Sequence, residues 1–369
     1  MRVTFVLRSA DRSGGVRVVA TYAEALRARG HEVALVSTPT AVPLERRIKN
    51  ALKLRGFARF YPAVANPIDE NPQLDHTVLE SDRPVSADDV PDADIIIATW
   101  WETAEWVAEM PLNKGEKLYL IQHDETVFPI LTEAERERVR ATWRLPFTRV
   151  VVSQWIRDRI DAGHAQTPPT VLIPNGVDLQ RFDAPPREKQ DRPTVAMMYS
   201  PVGFKAMDVG AAALEILRER VPDLRAVVFG AGEIDPLLPL PDWIEYHRDP
   251  PQAELARLYG SVDAYLFPSR LEGFGLPILE AMACRTPVVG CETGAAMELI
   301  RDGAPDAAGR LVPVDDADAL ASATESVLAL EPAAWRALSD HARARAEANA
   351  WPAVVDRFEE LLQRVAAGV

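Results

Sequence analysis

The chain has 369 residues, with 41 Lys and Arg against 55 Asp and Glu, a formal net charge of −14 that argues against general affinity for the phosphates of nucleic acid. Hydrophobic residues at 47% and charged residues at 26% give the balance of a globular protein, long enough for two or three cores. Cys284 and Cys291 make no disulfide framework, no run approaches a membrane span, and "MRVTFVL" is too short for a signal-peptide core, so the expected location is the cytoplasm.

In chain order, "RVTFVL" (2–7) reads as a buried strand before a Ser/Gly cluster. "GVRVVATYAEALRARG" (15–30) has helical spacing and stops at Gly30, and "EVALVS" (32–37) is the next strand. This βαβ unit predicts a parallel sheet covered on both faces. "LERRIKNALKLRGFARFY" (44–61) sets Arg46, Arg47, Lys49, Lys53, Arg55 and Arg59 against Glu45 alone, with Phe57, Phe60 and Tyr61 following. Such a segment suits an anionic membrane surface or an anionic acceptor, and its plainer reading is a solvated helix. Strands follow at 93–99, 117–122 and 149–154.

A Pro-rich, charged stretch (166–193) then separates a second series of apolar runs, at 194–200, 224–230, 244–248, 264–269, 287–292 and 309–314. No sequence repeat is present, but the same architecture occurs twice. A last amphipathic helix spans about 331–367, with a break near Trp351-Pro352. The expected fold class is α/β, with two Rossmann-like, doubly wound parallel-sheet domains facing a cleft: 1–170, 171–350, and a C-terminal helix (351–369) packing back on the first domain. Folds of this kind bind ligands at the carboxyl ends of their strands.

The richest stretch is "SRLEGFGLPILEAMAC" (269–284), where Glu272 and Glu280 stand eight apart around Gly-Phe-Gly and Pro277. A strand, a glycine loop and a helix opening at Pro277 would place Glu272 in the loop and Glu280 one turn into the helix, beside free amides that attract an anion. On the other domain, "RSADRSGGV" (8–16) offers Gly14 and Gly15 for close backbone approach. Trp100 and Trp101 serve equally well as an acceptor wall or as packing. "DAD" (92–94) mimics a metal-binding Asp-x-Asp, but acidic residues at a strand start are ordinary turn chemistry. "GAGEID" (230–235) lacks the third glycine of a dinucleotide fingerprint, and the cysteines read as inert core thiols.

"EGFGLPILEAMACRTPVV" resembles the glutamate-x7-glutamate signature of the retaining glycosyltransferases of family 4, which have the GT-B fold. "SGGVRVVATYAEALRARGHEV", "IPNGVDLQRF", "LARLYGSVDAYLFPS" and "ANAWPAVVDRFEELL" are similar to that family in the expected order. A fainter similarity, in "TWWETAEWV" and "LYLIQHDETVF", is to bacterial rhamnosyltransferases of surface glycans. The resemblance implies that Glu280 holds the nucleotide's ribose hydroxyls and that Glu272 meets the donor sugar. It gives the amides of Phe274, Gly275 and Leu276 to the sugar and diphosphate, Lys205 to the diphosphate, His123 to the transferred sugar, and Gly15 to the glycine loop. The family's usual arginine, five residues before the lysine, is Ser200 here, with Tyr199 before it; Arg270 and Arg12 are the candidates to replace it.

The function implied is transfer of a sugar from a nucleotide-diphosphate donor to a hydroxyl of a glycan, a lipid-linked or a small-molecule acceptor. It needs no metal and no cofactor, the nucleotide sugar being a substrate, and it admits peripheral membrane contact through 44–61. The alternatives are a non-catalytic sugar-nucleotide-binding protein, which the missing arginine keeps open, and a dinucleotide-dependent oxidoreductase, disfavoured by the incomplete fingerprint.

Overall fold

The computed structural model describes residues 1–40, 66–162 and 170–368. The basic segment 44–61, and the membrane contact expected of it, lie outside the described residues. The chain divides into two compact units: Met1–Val151, Arg159–Ile173 and Val355–Val369 form one, and Val152–Asp158 with Pro174–Val354 the other.

The first unit is built on β1 (Arg2–Leu7), β2 (Glu32–Ser37), β3 (Asp75–Val78), β4 (Ile95–Ala98), β5 (Glu116–Ile121), β6 (Thr148–Val151) and β7 (Thr170–Leu172). Among the described residues the sheet order is β3-β2-β1-β4-β5-β6-β7, all parallel, with Val3 opposite both Val33 and Ile95. β4 is apolar and buried throughout and β5 is buried from Leu118 to Ile121, as expected of strands covered on both faces. Strand order reverses between β1 and β4, so the loops opening at Arg8 and Thr99 flank the switch point of the sheet.

Helix α1 (Gly14–Ala28) is capped by the Ser13 hydroxyl, which accepts from the Val16 amide, and ends at Gly30 with φ +87°. Its Tyr22 packs on Phe358 with ring centroids 4.2 Å apart, and Arg29 and His31 pair with Glu359 at 2.5 and 2.8 Å. The C-terminal segment is thereby part of this unit's core. At the sheet edge, His76 bonds Ser37 Oγ at 3.0 Å and Asp69 Oδ1 at 2.6 Å. That is the connectivity of a hydrolytic triad, but Ser37 has 0% of its surface exposed, so the three residues act as a staple between β2 and β3.

The second unit repeats the plan with β8 (Thr194–Met198), β9 (Arg225–Gly230), β10 (Glu245–Arg248), β11 (Ala264–Phe267), β12 (Val288–Cys291) and β13 (Gly309–Val312). Its order is β10-β9-β8-β11-β12-β13, again parallel, with the reversal between β8 and β11. Its described helices are Met207–Arg220, Gln252–Gly260, Leu276–Ala283, Ala296–Ile300, Ala317–Leu328 and Pro332–Ala348. Met197, Leu214, Leu217, Leu266, Val289 and Trp335 pack in one buried cluster. Trp335 Nε1 donates to the Asp263 carbonyl at 2.9 Å, which removes the one polar liability of that indole.

The last two helices, Pro332–Ala348 and Trp351–Ala366, are separated at Asn349-Ala350, where Ala350 bridges to Val177. The sequence places this break within two residues. β3 and β7 have no counterpart among the expected strands. Both are edge strands, and β3 ("DHTV") is largely exposed, so neither carries the apolar run that marks a buried strand.

Candidate active site

β11 delivers the chain into the loop 268–275, and Gly275 closes it at φ +96°. A Cβ there would lie 2.9 Å from Phe267 Cζ, so both conformation and space require glycine. The next residues open the helix Leu276–Ala283, with Pro277 in its first turn. The amides of Phe274, Gly275 and Leu276 thus lie at a helix N-terminus, as the sequence implied.

Glu272, only 6% exposed, is fixed at several points. Its Oε1 accepts from Lys205 Nζ at 2.6 Å and from Ser269 Oγ at 2.8 Å, and its amide donates to Thr293 Oγ1 at 3.1 Å. Gly294 (φ +56°) lets the next loop pass close: a Cβ there would meet Glu272 Cβ at 2.9 Å and the Phe274 carbonyl at 3.1 Å. Ser153, in the segment Val152–Asp158 that belongs to this unit, donates to the Gly273 carbonyl at 2.7 Å. Lys205 ends the 3-10 turn Gly203–Lys205, and left-handed Ala206 (φ 52°) then starts the helix Met207–Arg220. Loops from three strand ends therefore converge on one lysine-carboxylate pair.

Glu280, in the second turn of its helix and half-buried, receives the Tyr259 hydroxyl on Oε2 at 3.1 Å. Burial, reinforced by the charge of Glu280, holds the Tyr259 hydroxyl well above the usual phenol range. The same causes act on Tyr265, which feels both Glu280 and Glu272. The two glutamates thus sit in one electrostatic neighbourhood.

Arg270 donates to Asp208 at 2.6 and 2.9 Å and to the Gly203 carbonyl at 2.8 Å, and it pairs with Asp315. These bonds raise its guanidinium further above its ordinary value. Its charge is already matched by two carboxylates. Tyr199 is buried, and its hydroxyl accepts from the Asp235 amide at 2.8 Å and donates to the Leu238 carbonyl at 3.0 Å. Ser200 Oγ accepts from the Val202 amide at 3.4 Å. Ser200, at the position of the expected arginine, and Tyr199 before it therefore order their own loops.

In the first unit, Gly15 lies in the first turn of α1, and its carbonyl accepts from Gln122 Nε2 at 3.1 Å. His123 follows β5 with its ring 4.6 Å from Phe128, which in turn stacks on Trp100 at 5.9 Å. Phe128 was not singled out in the sequence, although it stands five residues from His123. Trp101 separates from its neighbour: it is 3% exposed, under the Arg138 guanidinium at 4.7 Å. Asp124 bonds the Arg159 guanidinium at 2.5 Å. Glu125 beside it is fully buried, its Oε2 without a hydrogen-bond partner, and burial pushes its carboxyl up to about 8.

Asp92 and Asp94 are taken by Lys114 and Arg2, whose bonds pull both carboxyls down. Among the described residues no group of three or more His, Cys, Asp or Glu could hold a metal ion. Burial pushes both cysteine thiols up to about 12. No helix of the described residues is long and apolar enough to cross a membrane.

Two family models match the chain, one on the larger part of each unit: Glycosyltransferase Family 4 over residues 12–181 and Glycosyl transferases group 1 over residues 194–329. The chain belongs to the family-4-like glycosyltransferases of the GT-B fold class. It is 31% identical over 201 residues to the GDP-mannose-dependent alpha-(1-6)-phosphatidylinositol monomannoside mannosyltransferase of Mycolicibacterium smegmatis, covering 48% of this chain and 52% of the other. Against the phosphatidyl-myo-inositol mannosyltransferase of the same organism it is 37% identical over 169 residues, 43% and 42% of the two chains. The chain thus spans about half the length of the curated relatives it matches. Among solved structures, sucrose-phosphate synthase from Thermosynechococcus elongatus superposes with a TM-score of 0.76 over 100% of both chains at 20% identity. A glycosyltransferase from Rickettsia africae gives 0.71 at 18% identity, over 99% of this chain and 98% of the other. These two likenesses bear on the fold alone.

Proposed function

We propose that the protein is a retaining, metal-independent transferase that moves a sugar from a nucleotide-diphosphate donor to a hydroxyl. The observation that carries this reading is the Lys205–Glu272 pair, held at the carboxyl end of a parallel sheet beside a helix N-terminus. Lys205 would neutralise the charge that grows on the diphosphate as the anomeric C–O bond breaks, aided by the amides of Phe274, Gly275 and Leu276. Glu272, fixed by Ser269 and Thr293, would accept hydroxyls of the donor sugar. Glu280 would accept those of the ribose. The acceptor oxygen forms the new bond to the anomeric carbon on the face the diphosphate leaves, and its proton passes to a diphosphate oxygen. No protein nucleophile is required, and positioning supplies much of the rate.

In the first unit, His123 with Trp100 and Phe128 would meet the sugar and its acceptor, and Gly15 would approach the diphosphate. Arg270, tied to Asp208 and Asp315, is assigned to shaping the donor loop. The relatives' names make GDP-mannose the first donor to try and a polyol hydroxyl, lipid-linked or free, the first acceptor.

The test is a thermal-shift panel of GDP, UDP, ADP and dTDP with their sugars, since a ligand of the folded state raises its melting temperature. Transfer is then run with the best donor in EDTA, and the product anomer is read by NMR. Retention of configuration with EDTA-insensitive turnover is the expected result. Tight binding with neither transfer nor donor hydrolysis makes this a non-catalytic binding protein, and an inverted product or a strict Mg²⁺ requirement overturns the mechanism. Glu280→Ala should weaken nucleotide binding about tenfold or more, the worth of a charge-assisted hydrogen bond. Calorimetric affinity equal to wild type removes the ribose assignment.

A further inference from the structure

Tyr259 stands one residue before the end of the helix Gln252–Gly260 and is 1% exposed. Phe229, Tyr265 and Phe182 surround its ring, with centroids at 5.2, 5.3 and 6.1 Å, each in edge geometry. Its carbonyl is bonded by Thr286 Oγ1 at 2.6 Å. The ring is held on three sides, and its hydroxyl donates to Glu280 Oε2 at 3.1 Å with the Tyr265 hydroxyl also nearby. Glu280 lies on a different helix and is partly buried, so this hydrogen bond ties two helices together at the carboxylate.

We propose that Tyr259 is a positioning residue: its caged hydroxyl sets the plane of the Glu280 carboxylate so that the carboxylate selects a vicinal diol, the 2′- and 3′-hydroxyls of a ribonucleotide, over a deoxynucleotide. The inference rests on the ribose role given to Glu280 above. Two adjacent hydroxyls can both donate to one carboxylate only if its plane is aligned with them, so the orientation of Glu280 carries specificity as well as affinity. The aromatic surroundings strengthen the hydrogen bond through their low polarity. Burial also keeps the phenol protonated, so it stays a donor across the whole working range of pH.

Tyr259→Phe removes the hydroxyl and keeps the ring. Calorimetry would compare GDP, UDP and ADP, each with its 2′,3′-dideoxy counterpart, in wild type and variant. Wild type should prefer the ribose form of its best nucleotide about tenfold or more, and the variant should lose roughly threefold to tenfold of that preference while binding the dideoxy form as before. Adding Tyr259→Phe to Glu280→Gln should not change the ratio further.

A variant that retains the full preference overturns the inference and leaves the Glu280 assignment standing. So does a variant that weakens both nucleotides equally with a lowered melting temperature, the mark of a merely structural tyrosine. A wild type that does not discriminate overturns both. If the single variant does not fold, Glu280→Asp provides the second arm: it shortens the side chain away from the fixed hydroxyl, and undiminished ribose preference there also refutes the proposal.

Discussion

The loop around Glu272 in the second unit and the loop around Glu125 in the first both leave a parallel strand at its carboxyl end, and both carry a buried carboxyl. They settle that carboxyl in opposite ways. Glu272 has a lysine, a serine and a threonine on its side chain and backbone. Among the described residues Glu125 has Asp124 beside it, no paired cation, and an oxygen without a partner. The first group is matched by a cation, and the second gives up its charge by holding a proton. A buried charge with partners is available to act on a ligand; a buried neutral acid is not.

The sharpest way to break this contrast is at the pair itself. Lys205→Ala and Glu272→Ala should each lower turnover by about a hundredfold to a thousandfold, as loss of a charge-stabilising group does. Lys205→Ala should also destabilise the fold by roughly 3–5 kcal/mol, because it strands a buried carboxylate. Turnover within a few-fold of wild type in either variant would separate the pair from the chemistry.

Next in size, Gly294→Ala should cost about 1–3 kcal/mol through its positive φ and its contact with Glu272. Gly303→Ala has a positive φ but nothing within 4 Å, so it should show the conformational cost alone. Turnover falling in the first variant and not in the second would show that Glu272 had shifted; equal effects would deny it.

The last test, at Glu125, reads stability alone. Its carboxyl titrates near 8 when folded, above the ordinary unfolded value, so the folded state binds the extra proton between these limits. Stability from this group is full below the unfolded value and is lost as pH rises through about 8. Glu125→Gln should therefore melt several degrees above wild type at pH 8 and close to it at pH 4. A variant with the wild-type pH dependence would mean that Glu125 does not hold a proton in the fold.

Much of this was legible in the residues. The doubly wound order follows from alternating apolar strands and helices, and the glycine loop with its two glutamates announces itself by cost, since Gly275 and Pro277 fit few backbones. The partners were not legible. Ser269, Thr293 and Ser153 are ordinary loop hydroxyls, and nothing local says that the chain returns to place them around Glu272. Arg270 meets Asp208 and Asp315 across 62 and 45 residues, so its neutralisation is a product of the fold. Trp100 and Trp101 look alike in sequence, and only helix phase puts one in the core and the other beside Phe128.

The C-terminal segment that brings Phe358 to Tyr22 and Glu359 to Arg29 has a consequence for vectorial synthesis. The first unit begins to emerge from the ribosome first, yet its core stays incomplete until residues 355–368 have been made. The second unit has all of its chain by Val354. Order of completion is therefore the reverse of order of emergence, and the early sheet must wait with Tyr22 uncovered while the later one closes. Pulse proteolysis of stalled nascent chains released at residue 354 should find Pro174–Val354 protected and Met1–Val151 cleaved, and protection of both would show that the first sheet closes without its last helix.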